Sequence, residues 1–161
     1  MLRVSGLLLV VAIAWPAVVA SGAPEARSRT LRYRLVGAGW DLGASGSCPE
    51  GSVRYDIVGP RGRRIGTATT CVVAAAKADA AGGAVVVTER VVETDAFAAG
   101  WLRTRSTQVY RNASNGERAT ISIRGVVAGG TQSYKSAHGT VTGSGKRSGD
   151  TVDVQITIRL R

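Results

Sequence analysis

The side chains of this chain that can do chemistry are a few carboxylates, several tyrosines and one histidine. Asp41, Asp56, Glu89, Glu93 and Asp95 are the candidate acids for an interior. Glu89 shares parity with Val85, Val87 and Val91 in an alternating run, so it is expected to point inward with them. A buried carboxylate without a partner is costly, so an inward Glu89 must be paired or functional. Arg103 and Arg105, on the next alternating run, are the expected partners. Asp56 lies between Tyr55 and Ile57 with the opposite parity, which places it outside and beside an arginine. Tyr33, Tyr55, Trp101, Tyr110 and Tyr134 can line a pocket mouth or fill a core.

His138 is the single histidine, so any histidine-based triad would have to be built around it. A solvated or mouth position is the expectation for it. There is no Gly-x-Ser-x-Gly, no phosphate-binding glycine loop and no paired-histidine zinc pattern. No catalytic set is assigned, and neither a metal nor a cofactor is expected.

The elements that must position these residues are strands. Residues 151–160 alternate without a break, putting Val152, Val154, Ile156, Ile158 and Leu160 on one face. Further strand candidates are 31–35, 53–57, 67–73, 84–93, 101–110, 118–124 and 136–142. Gly59-Pro60-Arg61-Gly62 and Asn115-Gly116 supply turn chemistry between them. The alanine-rich run 72–81 can form a short helix. About eight strands at hairpin spacing favour a closed antiparallel barrel or a sandwich, and closure removes exposed edges.

Gly129-Gly130-Thr131, Tyr134, Ala137 and Gly139 form a Gly-Gly-Thr-x-x-Tyr-x-x-Ala-x-Gly pattern ahead of a β-rich end. This stretch resembles the late part of the allene oxide cyclase / dirigent barrel superfamily, where Gly-Gly-Thr-Gly-x-Tyr/Phe-x-x-Ala-Arg-Gly is common. Gln132 stands in place of the third glycine and His138 in place of the arginine. The resemblance implies an all-β, eight-stranded antiparallel barrel whose interior takes a small hydrophobic ligand. It also implies cofactor-free isomerisation, cyclisation or guided coupling as the activity if the protein is an enzyme, and association as a homodimer or homotrimer. The His-Asp pair of the plant dirigent type is absent, so no catalytic role is carried over. By themselves, the three glycines read as sites of tight backbone geometry or a kink in the wall.

Residues 1–20 read as a secretory signal peptide, with Arg3, an apolar core over 7–13 and a small-x-small site at Val18-Val19-Ala20. Residues 21–30 are expected to be a flexible lead-in, and 31–161 one domain. Cys48 and Cys71 then lie in an exported chain, and the one pairing open to them is a disulfide. The expected location is secreted, extracellular.

The net charge is +10, or +9 without Arg3, and arginine far outnumbers lysine. Such a balance favours anionic extracellular surfaces, while no recognised module points to specific nucleic-acid binding. The arginines are dispersed, which a merely solubilising surface explains equally well. Asn112-Ala113-Ser114 matches a glycosylation acceptor.

Three functions follow from these expectations. The first is a secreted barrel binding a hydrophobic or phenolic molecule. Glu89, Arg103, Arg105, Tyr33, Tyr55, Trp101 and Tyr134 are its candidate contacts. The second is an isomerase or coupling guide using the same cavity. The third is an interaction module whose basic exterior binds anionic polymers.

Overall fold

The alternation over 151–160 becomes β8 (Thr151–Leu160), with its aliphatic face buried and Thr151, Asp153, Gln155 and Arg159 exposed. In the computed structural model, residues 28–112 and 117–161 are described. The expected signal peptide, most of the lead-in and the Asn115-Gly116 turn lie outside them. Preceding β8 are β1 (Arg29–Ser45), β2 (Cys48–Val58), β3 (Arg64–Asp79), β4 (Val85–Phe97), β5 (Gly100–Asn112), β6 (Arg118–Gly130) and β7 (Gly139–Ser148). Each pairs antiparallel with its successor, and β8 returns to β1, giving a closed eight-stranded barrel. The ladder that closes it runs unbroken from Arg29↔Leu160 to Ala38↔Thr151.

The sequence pattern underestimates most of the strands, β1, β3 and β7 among them. The alanine-rich run expected to be helical is instead the end of β3, paired from Ala74↔Arg90 to Asp79↔Val85. Alanine favours a helix, but the β-branched Val85, Val86 and Val87 offer a ladder that overrides the local preference. A short 3-10 turn at 81–83 then reverses the chain. β1 passes through Gly37, Gly39 and Gly43, with register shifts against β2. β7 starts at Gly139 and runs on through Gly143 and Gly145, beyond the expected end at 142. The lead-in is shorter than expected, since Arg29 and Thr30 already belong to β1.

One end of the barrel is closed by the Gly-Gly-Thr stretch. After β6, a 3-10 turn over Gln132–Tyr134 folds Tyr134 inward to 4% exposure. Tyr134 packs on Phe97 with ring centroids 5.8 Å apart, and Phe97 meets Tyr33 edge-on at 5.6 Å. The Arg29 guanidinium lies 5.6 Å from the Tyr134 ring centroid, which holds the plug from outside. Backbone bonds from Thr131 N to Trp101 O at 3.0 Å and Ser133 N to Ala99 O at 3.2 Å fasten the loop to the β4–β5 turn. A Cβ on Gly130 would lie 2.6 Å from Trp101 O, and one on Gly139 2.0 Å from Arg159 O. Both glycines are therefore required by close backbone approach. Gln132 adopts a left-handed φ of 51°, a conformation that favours glycine.

At the opposite end the β1–β2 and β3–β4 hairpins extend the wall. The Cys48–Cys71 disulfide ties these two hairpins together, with Cα atoms 5.2 Å apart. Trp40 and Leu42 are exposed on the β1–β2 hairpin. Between the ends, Leu35, Ile57, Leu102, Ile121, Ile123, Ile156 and Ile158 fill an apolar side of the interior.

Candidate functional site

The interior is two-sided. β6, β8 and β1 contribute mostly aliphatic residues, whereas β3, β4 and β5 turn Thr70, Glu89, Glu93, Asp95, Thr104 and Gln108 inward alongside Ala68, Val91 and Leu102. The parity that points Glu89 inward also covers Glu93 and Asp95, since all three are odd-numbered on β4.

The deepest polar group is the Glu93–Asp95 couple. Asp95 is fully buried and Glu93 nearly so. The Tyr33 hydroxyl reaches across from β1 and donates to Asp95 Oδ2 at 2.5 Å. Thr70 Oγ1, cross-strand from Glu93, donates to Glu93 Oε2 at 2.9 Å. Asp95 Oδ1 is buried with no hydroxyl or amide donor on it among the described residues. Two adjacent ionised carboxylates would repel in this buried site, whereas a proton on Asp95 would make it a donor toward Glu93. Burial, followed by the charge of Glu93, pushes the Asp95 carboxyl well above the usual carboxylate range. Burial raises Glu93 as well, opposed by the bonds from Thr70 and Asp95. The same surroundings hold Tyr33 firmly protonated, burial first and Asp95 second. Burial thus holds both carboxyls toward their protonated forms, with the Tyr33 hydroxyl donating to one and the Thr70 hydroxyl to the other.

Toward the unplugged end lies a second, half-buried group. Glu89 stands directly across from Gln108, with Tyr110 one alternation further along β5. The Tyr110 hydroxyl donates to Gln108 Oε1 at 2.8 Å and also lies within hydrogen-bonding reach of Glu89. Burial raises the Glu89 carboxyl, while Tyr110 and the charge of Arg147 lower it. Tyr55, on β2, is also raised by burial and sees both Arg147 and Glu89. Arg147 reaches this end from β7, where it pairs across from Val152 and donates its Nε to Gly149 O at 2.8 Å.

Several expected contacts lie elsewhere. Arg103, Arg105 and Trp101 are exposed on the outer wall, because they alternate with the inward Leu102 and Thr104. They do not line the interior, and Tyr110, Gln108 and Arg147 surround Glu89 instead. Tyr134 is part of the plug rather than a mouth, and Tyr33 is committed to Asp95. Asp56 faces outward and pairs with Arg64, Nε to Oδ1 2.8 Å, as its parity predicts. Asp41 is exposed and accepts from Gly43 N at 2.8 Å. His138 is exposed ahead of β7, with Nδ1 3.4 Å from Ser136 O. Gln108, Arg147, Thr70 and Thr104 are candidate-site residues that the sequence pattern did not single out. Inward parity on β5 signals Thr104 and Gln108, but Arg147 follows two interior glycines that carry no hydrophobic pattern.

Among the described residues, no group of three or more His, Cys, Asp or Glu side chains is placed to hold a metal ion. No protein-family model, curated protein or solved structure matches the chain.

Proposed function

We propose that this chain is an exported protein that binds one small phenolic, or similarly hydrogen-bonding hydrophobic, molecule at the unplugged end of its barrel. The observation that carries this reading is the half-buried group of Glu89, Tyr110, Gln108, Tyr55 and Arg147 at that end. Two tyrosine rings offer flat apolar contact, and Glu89 and Gln108 offer acceptors for a hydroxyl. Arg147 supplies a cation for an acidic substituent. Small-molecule sites combine mostly apolar walls with a few convergent polar groups in this way. The disulfide supports export, since such bonds persist in oxidising compartments. The Gly-Gly-Thr resemblance to allene oxide cyclase / dirigent barrels supports the ligand class, as does the left-handed backbone at Gln132, where those barrels carry glycine.

Native mass spectrometry of the secreted protein, before and after denaturation, tests the proposal. A stoichiometric small molecule released on unfolding, or one gained from a phenol library and lost in Glu89→Gln, is the expected result. A clean mass with no ligand gained would contradict it.

The Glu93–Asp95 couple favours a second reading, a cofactor-free isomerase in which the couple relays a proton. A carboxyl held toward its protonated form beside a second carboxyl supplies the acid and the base that such chemistry uses. In this reading Asp95→Asn binds substrate but does not turn it over. Turnover that survives the substitution would exclude it.

A further inference from the structure

Charge on this barrel is sorted by face. The β4 acids Glu89, Glu93 and Asp95 point inward, and on the outward faces of β4 to β8 the carboxylate among the described residues is Asp153. Arg34 takes that one in a bidentate pair. A further ion pair joins Arg64 to Asp56. The arginines of the β4–β8 wall are left facing solvent.

Register places them in a belt. One rung of outward residues runs Arg90, Thr107, Arg124, Thr142, Thr157 and Arg32, from β4 across to β1. The adjacent rung runs Val92, Arg105, Val126, Thr140, Arg159 and Thr30. Arg32, Arg90, Arg105, Arg124 and Arg159 are all exposed. Strands lie about 4.8 Å apart, so Arg90 and Arg124 are about 10 Å apart along the wall, and the belt spans roughly 24 Å. Two shallow grooves lie along it. One, of about 510 Å³, is lined by Arg90, Arg105 and Arg124 with Val92 and Val126. The other, of about 380 Å³, is lined by Arg32 and Arg159 with Thr142, Ser144, Gln155 and Thr157.

We infer that this belt is a binding surface for an acidic polysaccharide. Repeated cations with no competing carboxylate call for a partner with repeated anions. The belt follows a convex wall over six of the eight strands, so a flexible chain can engage its whole length. A flat lipid surface would touch only part of it. The threonines between the arginines present hydroxyls suited to sugar hydroxyls. No belt residue is aromatic, so the stacking platform that single-stranded nucleic acid uses is missing. The belt lies on the outer wall and does not depend on the ligand site at the barrel end.

The test is fluorescence anisotropy with a labelled, size-defined sulfated glycosaminoglycan octasaccharide, titrated at several salt concentrations. Binding should weaken with salt, with a log–log slope of about 3 to 4 if all five arginines engage. Arg105→Gln/Arg124→Gln should weaken binding at least about tenfold and lower the slope by about one to two. Arg61→Gln/Arg63→Gln, which removes the same charge from the β2–β3 turn, should change it little. Equal losses in both double variants would overturn the belt in favour of net charge alone. Tighter binding to oligothymidylate of matched charge, or to phosphatidylglycerol vesicles, would overturn the glycan assignment. Loss of octasaccharide binding with phenol binding retained separates this proposal from the one before it.

Discussion

Replacing Asp95 by asparagine isolates the most unusual electrostatic feature of this fold. Asparagine keeps the shape of the side chain. Its carbonyl oxygen can accept the Tyr33 hydroxyl, and its amide can donate to Glu93, as a protonated Asp95 does. The substitution therefore makes permanent the neutral form that burial favours at Asp95. Asp95 and Glu93 are raised above their unfolded values, so the folded protein holds more protons than the unfolded chain. The couple's contribution is fully favourable below the unfolded carboxylate values, near pH 4, and is lost as pH rises through the folded values. Each pH unit over which one extra proton is retained lowers stability by about 1.4 kcal/mol. Urea denaturation followed by far-ultraviolet circular dichroism, at intervals from about pH 4 to about pH 8, measures this directly. The wild type should lose stability as pH rises, and Asp95→Asn should show a shallower slope and exceed the wild type near neutrality. Wild-type stability that holds level or climbs over that range would refute the upward shift of the buried carboxyls. So would an Asp95→Asn curve parallel to it.

Other consequences follow from single contacts. Tyr33→Phe removes the hydroxyl that Asp95 Oδ2 accepts from and should cost about 1–3 kcal/mol in denaturant unfolding. It should also steepen the fall in stability with pH, because that bond opposes the upward shift of Asp95. Cys48→Ser/Cys71→Ser opens a loop of sequence separation 23 and should lower stability by about 3 kcal/mol, which reductant should reproduce in the wild type. Ile156→Ala, at a fully buried position, should cost about 2–5 kcal/mol by thermal or urea unfolding. Gln132→Gly relieves a left-handed backbone and should leave the midpoint unchanged or raise stability by up to about 1 kcal/mol.

Strands whose side chains alternate cleanly are legible in the amino-acid sequence itself. β8 is the clearest case, because every second residue is aliphatic and buried. β4 is legible too, and its parity places Glu89 inward. Applied to the same strand, that rule brings Glu93 and Asp95 inward with it, so the carboxylate couple is within reach of the sequence. What parity cannot supply is register across a closed barrel. The meeting of Tyr33 with Asp95, or of Arg147 with Glu89, depends on how far each strand slides past its neighbour. Local pattern also fails where side chains are small. The alanines of β3 and the glycines of β7 carry little strand preference of their own, and their strand state comes from the partner ladder. Arg103 and Arg105 depart from expectation for a simpler reason. Complementary charge suggests a pair with Glu89, but the alternation of β5 sends both arginines to the outside.

The most direct test of the binding account is a nitrogen-15 nuclear magnetic resonance titration of the disulfide-bonded protein with a pooled phenol library. The account predicts saturable shifts centred on Tyr55, Glu89, Tyr110 and Arg147, which disappear in Glu89→Gln/Tyr110→Phe while the rest of the spectrum keeps its dispersion. Shifts confined to the outer wall, or none at the unplugged end at any phenol concentration, would contradict it.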